Sequence, residues 1–234
     1  QQILDEMYPM AAPFGAQVDK EMIVFEGTTH AENLEPFYAN LRDALLAPGW
    51  REDDLKRIRD AQTNGLKLSL RGNNDEELGK EVLYEQLYAG HPYGHVSLGK
   101  LSAIASITMA DLQGFYKAHF TQANLIIGVA GNYPKGFVER MQKDFAVLPK
   151  GSSSVVKLPA LKPMTESRVT IVDKKTRAVA YSIGYPIAVT RNHPDYPALL
   201  VASDWFGKHR SSGGNLYSRM REIRGLNYGD YSYI

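Results

Sequence analysis

Residues 108–131 read TMADLQGFYKAHFTQANLIIGVAG and carry the clearest secondary-structure signals in the chain. Thr108 and Asp111 have the spacing of a capping box, in which the first residue caps a helix and the fourth returns a hydrogen bond to it. This spacing predicts a helix that begins after Thr108 and closes at Phe120. The apolar run at 124–131 is short and continuous, which is typical of a buried strand. A helix followed by a buried strand predicts a chain of mixed α and β structure.

Similar patterns extend in both directions from this stretch. Apolar residues at helical spacing predict helices, and short apolar or alternating runs predict strands. Helices are predicted at 33–47, 52–70, 75–88, 136–145, 194–205 and 216–224, and strands at 16–27, 169–172, 179–185 and 228–234. Asn74 is a natural N-cap for its helix, and 16–27 is either one strand with a turn near Asp19 or two short strands. We therefore predict an α+β fold, with helices packed on one face of a mostly antiparallel sheet.

The composition changes between residues 150 and 166, which read KGSSSVVKLPALKPMTE. This segment has three serines and two prolines and shows no apolar period. Such a composition is typical of a linker between domains. We therefore predict two domains, 1–149 and 167–234, and expect the linker, residues 150–166, to be the first interior segment cut by a protease.

The charges and cysteine content exclude several classes of protein. Lysine plus arginine number 27 and aspartate plus glutamate 26, so the net charge of +1 predicts no nucleic-acid partner. No apolar run reaches the roughly 18–20 residues that a membrane span needs. The chain has no cysteine, which excludes disulfides, thiolate zinc ligands and a cysteine nucleophile. The absence of cysteine leaves the compartment open, periplasmic or cytoplasmic.

The histidines are candidate metal ligands, and a zinc site needs three or four converging nitrogen, oxygen or sulfur ligands. They occupy positions 30, 91, 95, 119, 193 and 209. His91 and His95 have a helical i,i+4 spacing, but Pro92 and Gly94 between them predict a loop. Neither H-E-x-x-H nor H-x-x-E-H occurs. We predict no metal ligand in this chain.

Other catalytic and cofactor motifs are also missing. The sequence contains no G-x-S-x-G nucleophile elbow, no G-x-G-x-x-G and no P-loop motif. The residues alone therefore indicate a two-part protein without a recognisable active site, and no catalytic residue is predicted.

Three further stretches follow one another along the chain. Residues 91–132 begin HPYGHVSLGK and end NLIIGVAGN, residues 181–207 contain YSIGYPI and HPDYPALLVASDWFG, and residues 215–233 read NLYSRMREIRGLNYGDYSY. In this order they resemble the insulinase/pitrilysin-type zinc metallopeptidases. The first stretch looks like the end of that family's first domain, the second like the start of its second homologous domain, and the third is similar to a signature of the second domain. Each stretch alone is weak evidence, whereas their combination and order are specific.

The resemblance implies two homologous α+β domains that enclose a peptide. Residues 1–149 would be the C-terminal part of the first domain and 167–234 the N-terminal part of the second, so both would be incomplete. In the family, zinc is held in the first domain by H-x-x-E-H and a later glutamate, and the second domain binds no metal. That second domain supplies an Arg and a Tyr that hold the peptide, and these map onto Arg221 and Tyr228 as substrate-binding residues. A guanidinium and a phenol are suitable donors to a peptide carbonyl.

The sequence departs from the family where zinc would bind. H-x-x-E-H is absent, and residues 61–74, AQTNGLKLSLRGNN, contain no acid where the glutamate ligand would fall. Glu76 and Glu77 lie about three helical turns too late. Without the metal, water activation and carbonyl polarisation are both lost, so we predict that the chain alone is inactive.

The predicted function is therefore a peptide-binding or assembly component without its own zinc site. Two alternatives stay open: a truncated piece of an active zinc endopeptidase, and a structural scaffold. The expected partners are a peptide or unfolded polypeptide, and either a homologous catalytic subunit or a second copy of the chain. We also expect the strand near 16–24 to lie at a sheet edge, where a peptide could add as a strand.

Overall fold

A computed structural model describes residues 2–153, 157–161, 163–208 and 211–234. The chain divides into two compact units, Gln1–Gly184 and Tyr185–Ile234. The α-helices of the described residues are α1 (Gln2–Met7), α2 (Leu34–Leu46), α3 (Glu52–Asn64), α4 (Asp75–Leu87), α5 (Leu101–Ser106), α6 (Met109–His119), α7 (Phe137–Phe145) and α8 (Tyr196–Gly207). Two π-helical segments, Gly65–Asn73 and Tyr217–Glu222, and three short 3₁₀ turns, Tyr8–Met10, Ala31–Asn33 and Gln122–Asn124, complete the helical structure of these residues.

The predicted helices are present, and two of their predicted caps are confirmed. The Thr108 hydroxyl accepts the N–H of Asp111 at 3.2 Å, and the Asp111 carboxylate accepts the N–H of Thr108 at 2.8 Å. Asn74 accepts the N–H of Glu77 at 3.0 Å at the start of α4. Each cap satisfies backbone donors that the first helical turn leaves free. The helix predicted at 52–70 is α-helical only to Asn64 and continues as the π-helical segment.

The first predicted strand is a hairpin of two short strands. β1 (Phe14–Val18) pairs antiparallel with β2 (Ile23–Gly27), so that Phe14 faces Gly27 and Val18 faces Ile23. Asp19 makes the turn, because its carboxylate accepts the N–H groups of Glu21 and Met22. These two strands form the only sheet within the described residues. Each strand therefore has one side without a ladder partner there.

The predicted α+β class is wrong for this structure, which is mostly helical. The segments 124–131, 169–172, 179–185 and 228–234 are not strands. A strand exists only where its N–H and C=O groups meet those of another segment, and these four segments form no such ladder among the described residues. Apolar runs and alternation indicate which side chains avoid water, but they do not supply the partner.

The main core of the N-terminal unit lies between α2 and α7. Its buried residues are Tyr38, Phe137, Met141, Phe145 and Leu148. Leucines of α2 pack against it at helical spacing, at positions 34, 41 and 45. The Tyr38 hydroxyl donates to the Asp144 carboxylate at 2.9 Å across the same interface. This packing accounts for the helical spacing of apolar residues that predicted a helix at 33–47.

The extended segment 169–184 runs beside α4 and contacts it through polar side chains. Thr170 donates to Gln86 at 2.8 Å, Thr176 donates to Asp75 at 2.6 Å, and the Lys174 ammonium lies 2.5 Å from the Asp75 carboxylate. The apolar residues of this segment remain exposed, including Val169, Ile171, Tyr181 and Ile183. The segment is thus held to α4 by hydrogen bonds and one ion pair.

No helix in the described part of the chain combines the length and the apolar character required to cross a bilayer. The limits predicted for the two domains, and the role of 150–166 as a linker, stay predictions. Residues 154–156 and 162 of that segment, and His209 of the six histidines, lie outside the described residues.

Candidate functional site

The chain reverses direction between Arg221 and Tyr228, and this turn brings the two predicted site residues together. The Ile223 N–H donates to the Ser218 carbonyl at 3.0 Å, the five-residue step of a π-helix. Gly225 then adopts a left-handed φ of 61°, which glycine reaches without the Cβ penalty of other residues. Its N–H donates to the Arg221 carbonyl at 2.9 Å, and the chain folds back past the end of the helix.

The side chain of Arg221 is packed between aromatic rings. Its guanidinium carbon lies 4.3 Å from the ring centroid of Tyr228 and 4.9 Å from that of Tyr217. Its Nη1 donates to the Tyr228 carbonyl oxygen at 3.3 Å. Both ring distances fall within the range of a cation–π contact. The structure therefore joins Arg221 and Tyr228 by a ring contact and a hydrogen bond.

Both residues keep donors available to a ligand. Tyr228 is 83% exposed, and its hydroxyl has no hydrogen-bond partner in the described part of the chain. An arginine carries five N–H donors, and among the described residues the Arg221 guanidinium uses one of them, in its bond to Tyr228. Each of the two side chains can thus donate to a carbonyl or carboxylate oxygen.

Tyr217 and Gly225 were not identified as site residues from the sequence. Tyr217 precedes Arg221 by four residues, the spacing at which side chains meet on a helix. A glycine directly after a helical run that ends in basic residues is a common helix stop. These two patterns could have found both residues.

The ring nitrogens of His91 and His95 contact backbone groups of nearby segments. The Tyr93 N–H donates to His91 Nδ1 at 3.1 Å, and His91 Nε2 lies 3.2 Å from the Pro159 carbonyl oxygen, to which it must donate because a carbonyl only accepts. Nδ1 of His95 lies 2.5 Å from the Pro92 carbonyl oxygen and donates to it for the same reason. Three of the four ring nitrogens are thus engaged with backbone groups, and a zinc ligand nitrogen would have to be free of such bonds.

The acid-free stretch 61–74 spans the end of α3 and the π-helical segment Gly65–Asn73. The next three carboxylates are paired with lysines: Asp75 lies 2.5 Å from the Lys174 ammonium, and Glu76 and Glu77 each lie 2.7 Å from the Lys80 ammonium. Within residues 2–153, 157–161, 163–208 and 211–234, no three histidine or acidic side chains cluster as metal ligands. The residues present therefore do not fit the zinc site that the resemblance associates with the family, and they support no catalytic step through zinc.

The aromatic residues around His91 form a compact cluster. The rings of Tyr88 and Tyr93 lie 5.7 Å and 4.9 Å from the His91 ring. The Tyr93 hydroxyl donates to Glu21, and this bond raises the pKa of Tyr93 to about 12. The cluster links the loop after α4 to the β-hairpin turn, which gives the sequence HPYGH a structural role.

The sequence from residue 106 to residue 234 matches the protein family described as the peptidase M16 inactive domain. The match covers more than half of the chain, so the chain belongs to this family of insulinase-type peptidases. The resemblance seen in the three sequence stretches is thereby confirmed.

The chain is similar in sequence to several curated proteins. It is 25% identical to the mitochondrial-processing peptidase subunit beta of Caenorhabditis elegans over 221 residues, covering 93% of this chain and 47% of that protein. It is 24% identical to an uncharacterized zinc protease of Bacillus subtilis, covering 82% of this chain and 45% of that protein. The chain thus spans about half the length of the curated relatives it matches.

Two of the solved structures with the same fold are bacterial proteins. A peptidase M16 inactive domain from Pseudomonas fluorescens superposes with a TM-score of 0.77 at 26% identity, over 98% of this chain and 55% of that chain. A protease from Helicobacter pylori gives a TM-score of 0.67 at 14% identity, over 99% of this chain and 56% of that chain, and supports the fold alone.

Proposed function

We propose that this chain is a peptide-binding or assembly component of an M16-type peptidase. In this proposal the chain itself has no zinc site. The family description of the matched region as an inactive domain supports the absence of catalysis. The chemistry at Arg221 and Tyr228 supports a role in holding a peptide. Zinc, where it takes part, would belong to another part of the enzyme.

One observation carries the peptide-binding proposal: Arg221 and Tyr228 both have N–H or O–H donors without a partner among the described residues. A peptide in extended form offers carbonyl oxygens along its length, and a charged donor to such an oxygen is stronger than a neutral one. The exposed Tyr228 ring adds apolar area beside the donors. Residues 215–233 therefore form a candidate binding surface for main-chain oxygens.

The experiment is a fluorescence anisotropy titration with a fluorescein-labelled, end-blocked unstructured peptide. Arg221→Met keeps the aliphatic stem and removes the charged donors, and it should weaken binding about 10-fold or more. Tyr228→Phe removes one neutral donor and should weaken binding about 3- to 10-fold. End-blocking removes the peptide's terminal carboxylate, so binding must use main-chain or side-chain groups.

Matched controls lie in the same stretch of sequence. Arg224→Met removes an exposed arginine three residues further on, and Tyr233→Phe removes a different phenol. Both should bind the peptide as the parent chain does. Peptide affinity that is equal in all four variants would rule out Arg221 and Tyr228 as the site, and no affinity in the parent chain would favour the scaffold alternative.

The second candidate function, a piece of an active zinc endopeptidase, is favoured by the relatives that are named zinc proteases. The same labelled peptide serves as the test. Incubation with and without added zinc, followed by mass spectrometry, should leave the peptide intact. Zinc-dependent, chelator-sensitive cleavage by the pure chain would replace the non-catalytic proposal with this one.

Assembly is the other part of the proposal. Several relatives are named as a subunit of a processing peptidase, which supports partnership with a homologous subunit. Among the described residues, β1 and β2 each have one side without a ladder partner, and the backbone groups of such an edge favour association. Light scattering after gel filtration measures the mass, and Val18→Lys on the exposed end of β1 should reduce any self-association through this edge.

A further inference from the structure

Tyr217 contacts Arg221 from within the same π-helical segment. It precedes Arg221 by four residues, is half-buried, and its ring centroid lies 4.9 Å from the guanidinium carbon. Tyr228 contacts the same guanidinium at 4.3 Å from the other arm of the turn. We propose that Tyr217 is a positioning residue that holds the Arg221 guanidinium beside Tyr228, so that its remaining N–H groups are presented to a peptide oxygen. This inference rests on the proposed peptide-binding function.

The physical need for such a residue follows from the length of arginine. Its side chain has several rotatable bonds and loses much rotamer freedom when it binds. A ring face that already holds the guanidinium reduces that loss, because fewer rotamers remain to be excluded on binding. The neighbouring Arg219 is held differently, by a hydrogen bond from its Nε to Asn215 at 3.2 Å. Among the described residues, the ring contacts of this segment's arginines are those of Arg221.

The proposed role is separable from simple packing of Tyr217. A packing role depends on the volume of the side chain, whereas a cation–π contact depends on the ring. Tyr217→Phe keeps the ring and removes only the hydroxyl, and Tyr217→Trp provides the aromatic ring that binds cations best. Tyr217→Leu keeps an apolar side chain without a π face. We expect the order Trp ≥ Tyr ≈ Phe > Leu in peptide affinity, with a loss of about 2- to 5-fold for Leu.

The first measurement does not involve the peptide. The Arg221 Nε–H signal in ¹⁵N-labelled protein is assigned by its disappearance in Arg221→Lys. The ring current of the aromatic side chains should shift the chemical shift of this signal. This shift should persist in Tyr217→Phe, increase in Tyr217→Trp and decrease in Tyr217→Leu. A signal that is identical in the Phe, Trp and Leu variants would overturn the positioning role even if the peptide binds.

The second measurement is a double-mutant cycle on peptide affinity. Tyr217→Leu should weaken peptide binding when it is made alone. It should cause no further loss when it is added to Arg221→Met, because Tyr217 acts on binding only through Arg221. A full additional loss in the Arg221→Met background would show that Tyr217 acts independently of Arg221. The parent chain could bind no peptide while the Arg221 Nε–H chemical shift still changes across the Tyr217 variants as expected. In that case Tyr217 does hold the Arg221 guanidinium, and the proposed peptide-binding function is wrong. Should Tyr217→Leu not fold, the comparison of the Phe and Trp signals decides alone.

Discussion

The carbonyl oxygen of Arg221 accepts the backbone N–H of Gly225 at 2.9 Å, and Gly225 has a φ of 61°. This bond closes the π-helical segment and starts the return of the chain towards Tyr228. The side chains of the candidate site therefore depend on a backbone conformation that most residues avoid.

Replacing Gly225 should separate the two site residues. Gly225→Ala has open space for its methyl group, so the cost comes from the left-handed conformation and should be about 1 kcal/mol of unfolding free energy. The contact between Tyr228 and Arg221 should weaken, measured by loss of ring-to-guanidinium nuclear Overhauser effects. Gly213→Ala is the control, because φ at Gly213 is not left-handed and the nearest atom lies 3.9 Å from the added methyl group. Equal losses in both variants would contradict this role of Gly225.

The hydrogen bond from Tyr38 to Asp144 should make stability fall at alkaline pH. Burial of the Tyr38 phenol, together with its bond to Asp144, raises its pKa to about 12. The proton is therefore held more tightly in the folded chain, so the contribution is complete below the ordinary tyrosine pKa near 10 and is lost as pH rises through about 12.

The test is urea unfolding of Tyr38→Phe and the parent chain at neutral and alkaline pH. At neutral pH the variant should be less stable by about 1 kcal/mol, because a hydrogen bond to a carboxylate is removed. The difference between the two proteins should shrink above pH 10. Tyr8→Phe, which alters an exposed tyrosine, should match the parent chain at every pH. If the difference in unfolding free energy between Tyr38→Phe and the parent chain instead grows with pH, the predicted direction of the pH dependence is wrong.

The ion pair between Lys174 and Asp75 should hold the segment 169–184 to α4. Hydrogen bonds from Lys174 and from Thr176 lower the pKa of Asp75 below its ordinary value. Because the folded pKa is depressed, this contribution is present above the ordinary value near 3.9 and is lost as pH falls through the folded pKa. Asp75→Asn should reproduce the acid effect at neutral pH by removing the charge.

Tryptic cleavage after Lys174 and Lys175 measures this release. We expect faster cleavage in Asp75→Asn than in the parent chain at neutral pH. Asp53→Asn removes an exposed carboxylate from α3 and should leave the rate unchanged. Equal rates in all three proteins would mean that other contacts hold the segment.

The bond from His91 to the Pro159 carbonyl should slow cleavage of the linker. His91→Asn can still accept the Tyr93 N–H, as in an Asx turn, but its shorter side chain does not reach Pro159. We expect faster tryptic cleavage after Lys157 in this variant, whereas His95→Asn should match the parent chain. If the first interior cut falls within 52–147 while 150–166 stays intact, the prediction of a linker is wrong.

Zinc should not bind tightly to the chain. The ring nitrogens of His91 and His95 are mostly engaged with backbone groups, and 61–74 contains no acid. Elemental analysis of protein purified without a metal-affinity tag should read near zero. One zinc per chain that remains bound after dialysis would contradict this prediction. His91 and His95 would then be the first candidate ligands.

Local signals in the sequence predicted local structure well. Thr108 with Asp111, Asn74 with Glu77, and the leucine spacing of α2 each specify a helix through residues a few positions apart. Arg221 and Tyr228 were singled out only through resemblance to a family, and their contact with each other was not predicted, because seven residues of separation do not reveal a turn. The left-handed Gly225 supplies that turn.

Long-range pairing was not predictable from the same patterns. Residues 124–131 were expected in a buried strand, yet Leu125, Ile127 and Val129 line an open groove of about 360 Å³ beside α7. Apolar side chains can reach a helix as well as a sheet, so an apolar run does not select the partner. The anchoring of Pro159 by His91 joins residues 68 positions apart, and no local pattern could have indicated it.

The attachment of 169–184 to α4 affects what a cut chain would do. If a protease severs the chain near residue 153, Thr170, Lys174 and Thr176 still bind Gln86 and Asp75. The two pieces would migrate separately on a denaturing gel yet elute together from a sizing column. The same contacts would allow two separately produced polypeptides, ending and starting at this point, to reconstitute the N-terminal unit by complementation without a covalent connection.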